Sequence, residues 1–378
     1  MNIIYFQSGG PTAVINSSLY GVIKKFQDSK EIEHLYCSRF GIDGILNDDL
    51  LEIEKDKDYS FLRKLPGSYT GSARVKLSDD FADAKYQKIL TIVDKYKIDA
   101  IVVNGGNDSM DTGMKLSRFF EAKKINVKIY GVPKTIDNDL ANCDFTPGFG
   151  SALNYIAQSV IDTRLDMNSY KKGRVVVFET MGRDAGWLAA SSVVASKYGL
   201  GPDLIYVSEI PFDFDKFLKD VEEIYKKKGS VLVVISEYLE DSDGNFIYHA
   251  DKKDAFGHIQ LDGALSQYLC RKVEEVLSIS TRFIVLNTLQ RSSSKCISKF
   301  DSDVAYKCGE IAVSSLLEGK ESAAISVKLD NNFKVNYILE DFEKAANLVR
   351  KMPSSFINEN KNNITEEGLK YFEFFFDK

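Results

Sequence analysis

The chain has 378 residues, which is long for a single core and makes two lobes the default expectation. Its net charge of −6 argues against a nucleic-acid binder, which carries a basic surface. No apolar run approaches the roughly eighteen residues of a membrane span. The five cysteines are odd in number and scattered, and no two form a CxxC pair. That speaks against zinc and against a disulfide framework, and fits a reduced cytoplasmic compartment.

Residues 3–6 predict a first strand rather than a signal peptide. Gly9-Gly10-Pro11-Thr12 then opens a helix with Ile15, Leu19, Val22, Ile23 and Phe26 at helical spacing and Thr12 as its N-cap. Bare backbone N–H groups at a helix start suit a phosphate, although one glycine pair is equally a tight strand-to-helix turn. Residues 43–65 read as acidic and irregular. Pro66 to Arg74 follows, rich in glycine and small hydroxyls and ending in a cation. A helix is expected over 82–97 and a fully apolar strand over 100–103, as in a parallel sheet covered on both faces. Gly105-Gly106-Asn107-Asp108-Ser109 turns that strand into a helix capped by Ser109 and Thr112. Asp108 there suits the helix dipole as well as a site.

The most informative stretch comes next. A short strand over 127–130 runs into Gly131-Val132-Pro133-Lys134-Thr135-Ile136-Asp137-Asn138-Asp139, a cation, a hydroxyl and two carboxylates within nine residues. Asp137 and Asp139 could serve an Asx-type turn, but a turn does not require Lys134 and Thr135. Ligands in open α/β sheets bind beyond the carboxyl ends of strands. Three such ends, after residues 6, 103 and 130, point to one phosphate-handling cleft. Thr146-Pro147-Gly148-Phe149-Gly150-Ser151 opens another helix that runs to about 166, followed by strands at 174–178, 204–207, 231–236, 282–286 and near 323–328. These alternate with helices at 214–227, 259–277 and 302–317. The last fifty residues read as charged and helical, with an aromatic cluster near the end. Regular alternation of this kind predicts a doubly wound, mostly parallel sheet in each of two lobes.

Taken together and in order, Ser8-Gly9-Gly10-Pro11-Thr12, Gly71-Ser72-Ala73-Arg74, Gly105 to Ser109, Pro133 to Asp139, Met181-Gly182-Arg183, Ser236-Glu237 and Leu289-Gln290-Arg291 resemble the motifs of the phosphofructokinase family. They look closest to its pyrophosphate-dependent branch. The resemblance implies α/β lobes of phosphofructokinase type. Residues 1–140 with 287–325 would form a donor lobe; 141–286 with 326–378 would form a sugar-phosphate lobe and helical tail. It implies reversible, Mg²⁺-dependent phosphoryl transfer from pyrophosphate to the 1-hydroxyl of fructose 6-phosphate, a glycolytic reaction. It also implies a cytoplasmic homodimer or homotetramer with shared active sites.

Carried over residue by residue, Asp137 is the general base, Thr135 and Asp139 support substrate and metal, and Gly10 and Gly106 let backbone approach the donor. Arg74 reaches the transferring phosphoryl group. Met181, Gly182, Arg183, Glu237 and Thr288 line the sugar, and Arg174, Arg282 and Arg291 hold its 6-phosphate. Any one of these arginines alone reads as a surface ion pair. Asp108 and Lys134 stand where ATP-using relatives have glycine; Asp108 would exclude the α-phosphate of ATP, and Lys134 would offset charge on the transferring groups. The chain departs from the family at Asn107, where an aspartate metal ligand is frequent, at Thr288, where histidine or tyrosine is usual, and at Ser292-Ser293, where glycines are usual. The readings left open are an ATP-dependent phosphofructokinase, a kinase of another class with a glycine-pair-Asp motif, and a non-catalytic regulatory subunit that binds sugar phosphate.

Overall fold

The computed structural model describes residues 1–73, 75–248 and 264–377. The elements are, in order, β1 (Asn2–Gln7), α1 (Ile15–Asp28), β2 (His34–Ser38), α2 (Ile42–Asn47), β3 (Leu50–Glu52), α3 (Ala84–Tyr96), β4 (Ile98–Gly105), α4 (Asn107–Lys123) and β5 (Lys128–Pro133). Next come α5 (Phe149–Asn168), β6 (Val175–Thr180), α6 (Trp187–Ser191), β7 (Leu204–Tyr206), α7 (Phe214–Lys228), β8 (Val231–Ser236), α8 (Ala264–Leu277) and β9 (Thr281–Val285). The chain closes with α9 (Lys299–Leu317), β10 (Ala323–Leu329), β11 (Val335–Glu340) and α10 (Glu366–Glu373). It divides into two compact units, Met1–Ser151 with Arg291–Arg350, and Ala152–Gln290 with Lys351–Lys378.

The first unit is built on a seven-stranded sheet in the order β11-β10-β5-β4-β1-β2-β3. β10, β5, β4, β1 and β2 are parallel, and β11 and β3 close the two edges antiparallel. Every residue of β1 is buried, so its apolar run reflects two covered faces. The chain moves from β1 to β2 on one side and places β4 on the other. The C-terminal ends of β1 and β4 therefore flank the switch point where such sheets bind ligands.

The second unit holds a parallel four-stranded sheet, β7-β8-β6-β9. β6 and β8 are buried along their whole length, whereas the edge strand β9 exposes Arg282 and Phe283. Trp187 packs against Phe356, Tyr371 and Phe372, which docks the C-terminal aromatic cluster within this unit.

Several local expectations change. Val14, not Thr12, precedes the first turn of α1; the Thr12 hydroxyl instead accepts from Val14 N at 3.4 Å. The N-cap of α4 is Gly106, which caps with backbone alone, and Thr112 Oγ1 turns back onto the Asp108 carbonyl. Residues 43–65 contain α2, β3 and a 3₁₀ turn at Ser60–Lys64. Among the described residues of the last fifty, only α10 is a helix of more than one turn, and β11 is a strand. β10 and β11 extend the larger sheet, so 326–350 belong with the first unit and not with the sugar-phosphate lobe. A strand pairing is a long-range choice, and the short run VNYILE of β11 does not by itself say which strand it pairs with. Residues 259–263 of the expected helix lie outside the described residues.

Candidate active site

In the first unit the loops after β1, β4 and β5 are neighbours because their strands are. The Lys134 amide donates to Gly105 O at 3.0 Å, and Ser8 N donates to Asn104 O at 2.9 Å. Lys134 turns its ammonium across to the first loop, where Nζ donates to Gly10 O at 2.6 Å. The side chain is only 2% exposed. Burial drives its pKa from the ordinary lysine value down to about 8; the carboxylates of Asp137 and Asp139 pull it up, and the Arg291 guanidinium pushes it down further. A Cβ built on Gly10 would come within 2.9 Å of Arg291 Nη1, so the loop lies directly against that cation. The structure thus places Arg291 beside Gly10 and Lys134, in the first unit.

The turn that follows is held at several points. Thr135 Oγ1 accepts from Asp137 N at 3.1 Å and lies 3.3 Å from Asp137 Oδ2. Asn138 adopts φ 57°, a left-handed conformation that asparagine tolerates better than most residues. Its side chain accepts from Thr146 N at 3.0 Å, while Arg350 donates to its carbonyl through Nη2 at 2.8 Å. Arg350 N also donates to Asp139 O at 2.7 Å. Arg350 is thus a positioning residue that the sequence did not single out; it acts from over 200 positions away, at the end of a segment with no motif. Asp137 and Asp139 are half-buried, which keeps them in reach of a ligand.

Asn107 opens α4 and points at the same turn. Its Nδ2 donates to Asp139 Oδ2 at 3.0 Å, which fixes the orientation of the amide. Oδ1 is then left buried with no hydrogen-bond partner among the described residues. An orphaned buried carbonyl oxygen is the donor type a hard cation takes. Asp108, one residue on, is exposed in the first turn, so its carboxylate faces outward from the helix start. Gly106 stands 3.5 Å, by a notional Cβ, from Lys134 O.

Arg74 lies outside the described residues. The segment leading to it is docked on the end of β1. Ser72 Oγ donates to Gly9 O at 2.8 Å, and Ser68 Oγ donates to the buried Gln7 Oε1. Asn16 Nδ2 donates to Leu65 O and Gly67 O, both at 2.8 Å. Gln7 and Asn16 are fully buried amides that no motif flagged; a polar residue ending an apolar strand was the only available signal.

In the second unit Met181, Gly182 and Arg183 follow the C-terminal end of β6, and Glu237 follows that of β8. Gly182 N donates to Glu237 Oε1 at 3.1 Å. Arg183 Nε is buried with no partner among the described residues, a donor awaiting an acceptor. Thr288 is exposed in the 3₁₀ turn Asn287–Arg291 after β9. Arg174 and Arg282 sit at the opposite, N-terminal end of the strands. Arg174 immediately precedes β6, its guanidinium over Tyr170, and Arg282 pairs with Val176 near the start of β9. A strand rises about 3.3 Å per residue, so along the sheet Arg282 lies roughly 17 Å, and Arg174 roughly 23 Å, from Met181 and Glu237. Within one chain they therefore lie apart from Met181 and Glu237.

A profile of the phosphofructokinase family matches residues 2–316. A pyrophosphate–fructose 6-phosphate 1-phosphotransferase of Xanthomonas campestris is 37% identical over 383 residues, covering 98% of this chain and 90% of the relative. One of the same name from Halomonas elongata is 36% identical, with the same coverage. Among solved structures, a pyrophosphate-dependent phosphofructokinase from Nitrosospira multiformis superposes with a TM-score of 0.90 at 32% identity, covering 100% of this chain and 92% of that one. The chain belongs to the phosphofructokinase family.

Proposed function

We propose that the protein transfers a phosphoryl group, reversibly, between pyrophosphate and the 1-hydroxyl of fructose 6-phosphate. The observation that carries this reading is the buried Lys134 ammonium, held between the glycine loop and the Thr135–Asp139 turn. Its position suits a small, highly charged donor. The names of the relatives above point the same way.

In this scheme Asp137 takes the proton of the 1-hydroxyl as its oxygen attacks phosphorus. The bridging P–O bond breaks, and the leaving phosphate carries away the electron pair. Phosphoryl transfer depends on positioning and charge stabilisation, which Lys134, Arg291 and Arg74 would provide on the donor side. Asp108 stands at the start of α4, where its bulk and charge would disfavour a nucleotide α-phosphate. A divalent cation, Mg²⁺ in our reading, would neutralise pyrophosphate oxygens. Asn107 Oδ1 would contribute to holding it, with Asp137 or Asp108. Among the described residues no cluster of three or more histidine, cysteine or acidic side chains could hold a metal alone. That fits Mg²⁺, which keeps waters and takes substrate phosphates as ligands.

Arg183, Glu237 and Thr288 would bind the sugar. The distance of Arg174 and Arg282 from that group supports an assembly in which they serve the 6-phosphate in a second copy of the chain. Among the described residues no helix is long and apolar enough to cross a membrane. The test is to supply the purified chain with fructose 6-phosphate, Mg²⁺ and either pyrophosphate or ATP, and follow fructose 1,6-bisphosphate. Turnover with pyrophosphate and little with ATP is expected. Good ATP turnover would replace the donor, and no turnover with either would leave a sugar-phosphate-binding subunit.

A further inference from the structure

The loop from Met181 to Gly186 leaves the C-terminal end of β6 and enters α6. Each of the other three strands in this sheet sends one side-chain acceptor to it from beyond its own C-terminal end. From beyond β9, Gln290 Oε1 accepts from Met181 N at 3.3 Å. From beyond β8, Glu237 Oε1 accepts from Gly182 N at 3.1 Å. From beyond β7, both carboxylate oxygens of Glu209 accept from Gly186 N, at 2.9 and 3.0 Å. Arg183 lies between these fixed points.

We propose that Gln290 and Glu209 are positioning residues for the acceptor sugar, acting by holding the backbone on either side of Arg183. Gln290 is 1% exposed, and its amide is used at both ends, since Nε2 donates to Asn287 O at 2.9 Å. It therefore ties the Arg183 loop to the turn that carries Thr288. Glu209 does a second job, because Oε1 also accepts from Met352 N at 3.0 Å, where the C-terminal segment enters this unit. One carboxylate thus fixes the end of the loop and the start of the segment that packs on Trp187. The approach is so close that a Cβ on Gly186 would lie 2.6 Å from Glu209 Oε2 and 2.4 Å from Val207 Cβ, so the residue must be glycine. Backbone donors pinned by buried or half-buried acceptors lose little further freedom when a ligand arrives, which is the condition for precise placement of a guanidinium.

This rests on the assignment of Arg183 to fructose 6-phosphate, and the test separates the two. Amide hydrogen exchange of a peptide spanning 181–187 is measured first, without any substrate, in the wild type and in Glu209→Leu, Glu209→Gln and Gln290→Met. Exchange should quicken in Glu209→Leu and Gln290→Met and stay near wild type in Glu209→Gln, which keeps an acceptor oxygen. Unchanged exchange in both Glu209→Leu and Gln290→Met overturns the anchoring, whatever the enzyme acts on.

Steady-state kinetics with pyrophosphate follows. Misplacement of this kind is worth roughly tenfold to a hundredfold, so the KM for fructose 6-phosphate should rise on that scale in Glu209→Leu and Gln290→Met. The KM for pyrophosphate should hold, and Glu209→Gln should recover most of the loss. Quicker exchange with an unchanged sugar KM, or an equal loss toward both substrates that Glu209→Gln does not rescue, overturns the positioning role. A wild type that does not turn over fructose 6-phosphate overturns the functional reading and with it this role for the sugar, while the exchange result still decides whether Gln290 and Glu209 anchor the loop.

Discussion

Lys134 offers the sharpest test, because its burial has opposite consequences for stability and for catalysis. Burial, first of all, lowers the Lys134 pKa from the ordinary lysine value of 10.5 to about 8. At about 1.4 kcal/mol per unit the charged form costs the folded state roughly 3 kcal/mol relative to the unfolded chain. The sign follows from linkage. The folded pKa is depressed, so the penalty is fully present below about pH 8 and fades as the pH rises from there to 10.5, where both states are neutral.

Lys134→Met keeps the apolar stem and removes the charge. Loss of the hydrogen bond to Gly10 O costs about 1 kcal/mol. The variant should therefore be more stable at pH 7 by about 2 kcal/mol and melt a few degrees higher. Its kcat with pyrophosphate should nevertheless fall roughly 10²- to 10³-fold, as on removing one preorganised group that stabilises transition-state charge. In the wild type, kcat/KM for pyrophosphate should decline above about pH 8 as the free enzyme loses the ammonium. The kcat profile should extend higher, because bound pyrophosphate favours the charged form. Thermal unfolding at pH 7 and 9.5 with initial rates from pH 6 to 10 would check both halves. A variant that is less stable at pH 7, or that keeps wild-type kcat, would refute the reasoning.

Asp137→Ser should lower kcat by roughly 10²–10⁴-fold and leave the Kd for fructose 6-phosphate nearly unchanged, since a general base acts in the proton-transfer step; an active variant would move the base to Asp139. Asp108→Gly should admit ATP as a measurable donor and depress pyrophosphate turnover, and its effect should not add to that of Lys134→Gly. If Asp108→Gly ignores ATP and keeps full activity, Asp108 only complements the α4 dipole. Mixing Asp137→Ser subunits with Arg174→Ala/Arg282→Ala subunits should recover activity above either parent, and no recovery after confirmed subunit exchange would count against shared sites.

The parts of this protein written locally were legible in the sequence. β1, β4, β6 and β8 are apolar through their middles because both faces are covered there, so their runs announce themselves. The loops after β1 and β5 gather candidate site residues in a few adjacent positions, so Gly10, Lys134, Thr135 and Asp137 could be named before any fold was known. What only the tertiary structure decided is everything that depends on partners far apart in the chain. The pairing of β10 with β5, which moves 326–350 into the first unit, is chosen by sheet edges and not by the composition of β11. Arg291 follows Gln290 directly, yet its guanidinium lies beside Gly10 and Lys134 while Gln290 anchors Met181. Arg350, Asn16 and Glu209 hold the functional loops through main-chain groups. A backbone N–H or carbonyl is the same at every position, so a side chain that serves one leaves no mark in the sequence of the loop it holds.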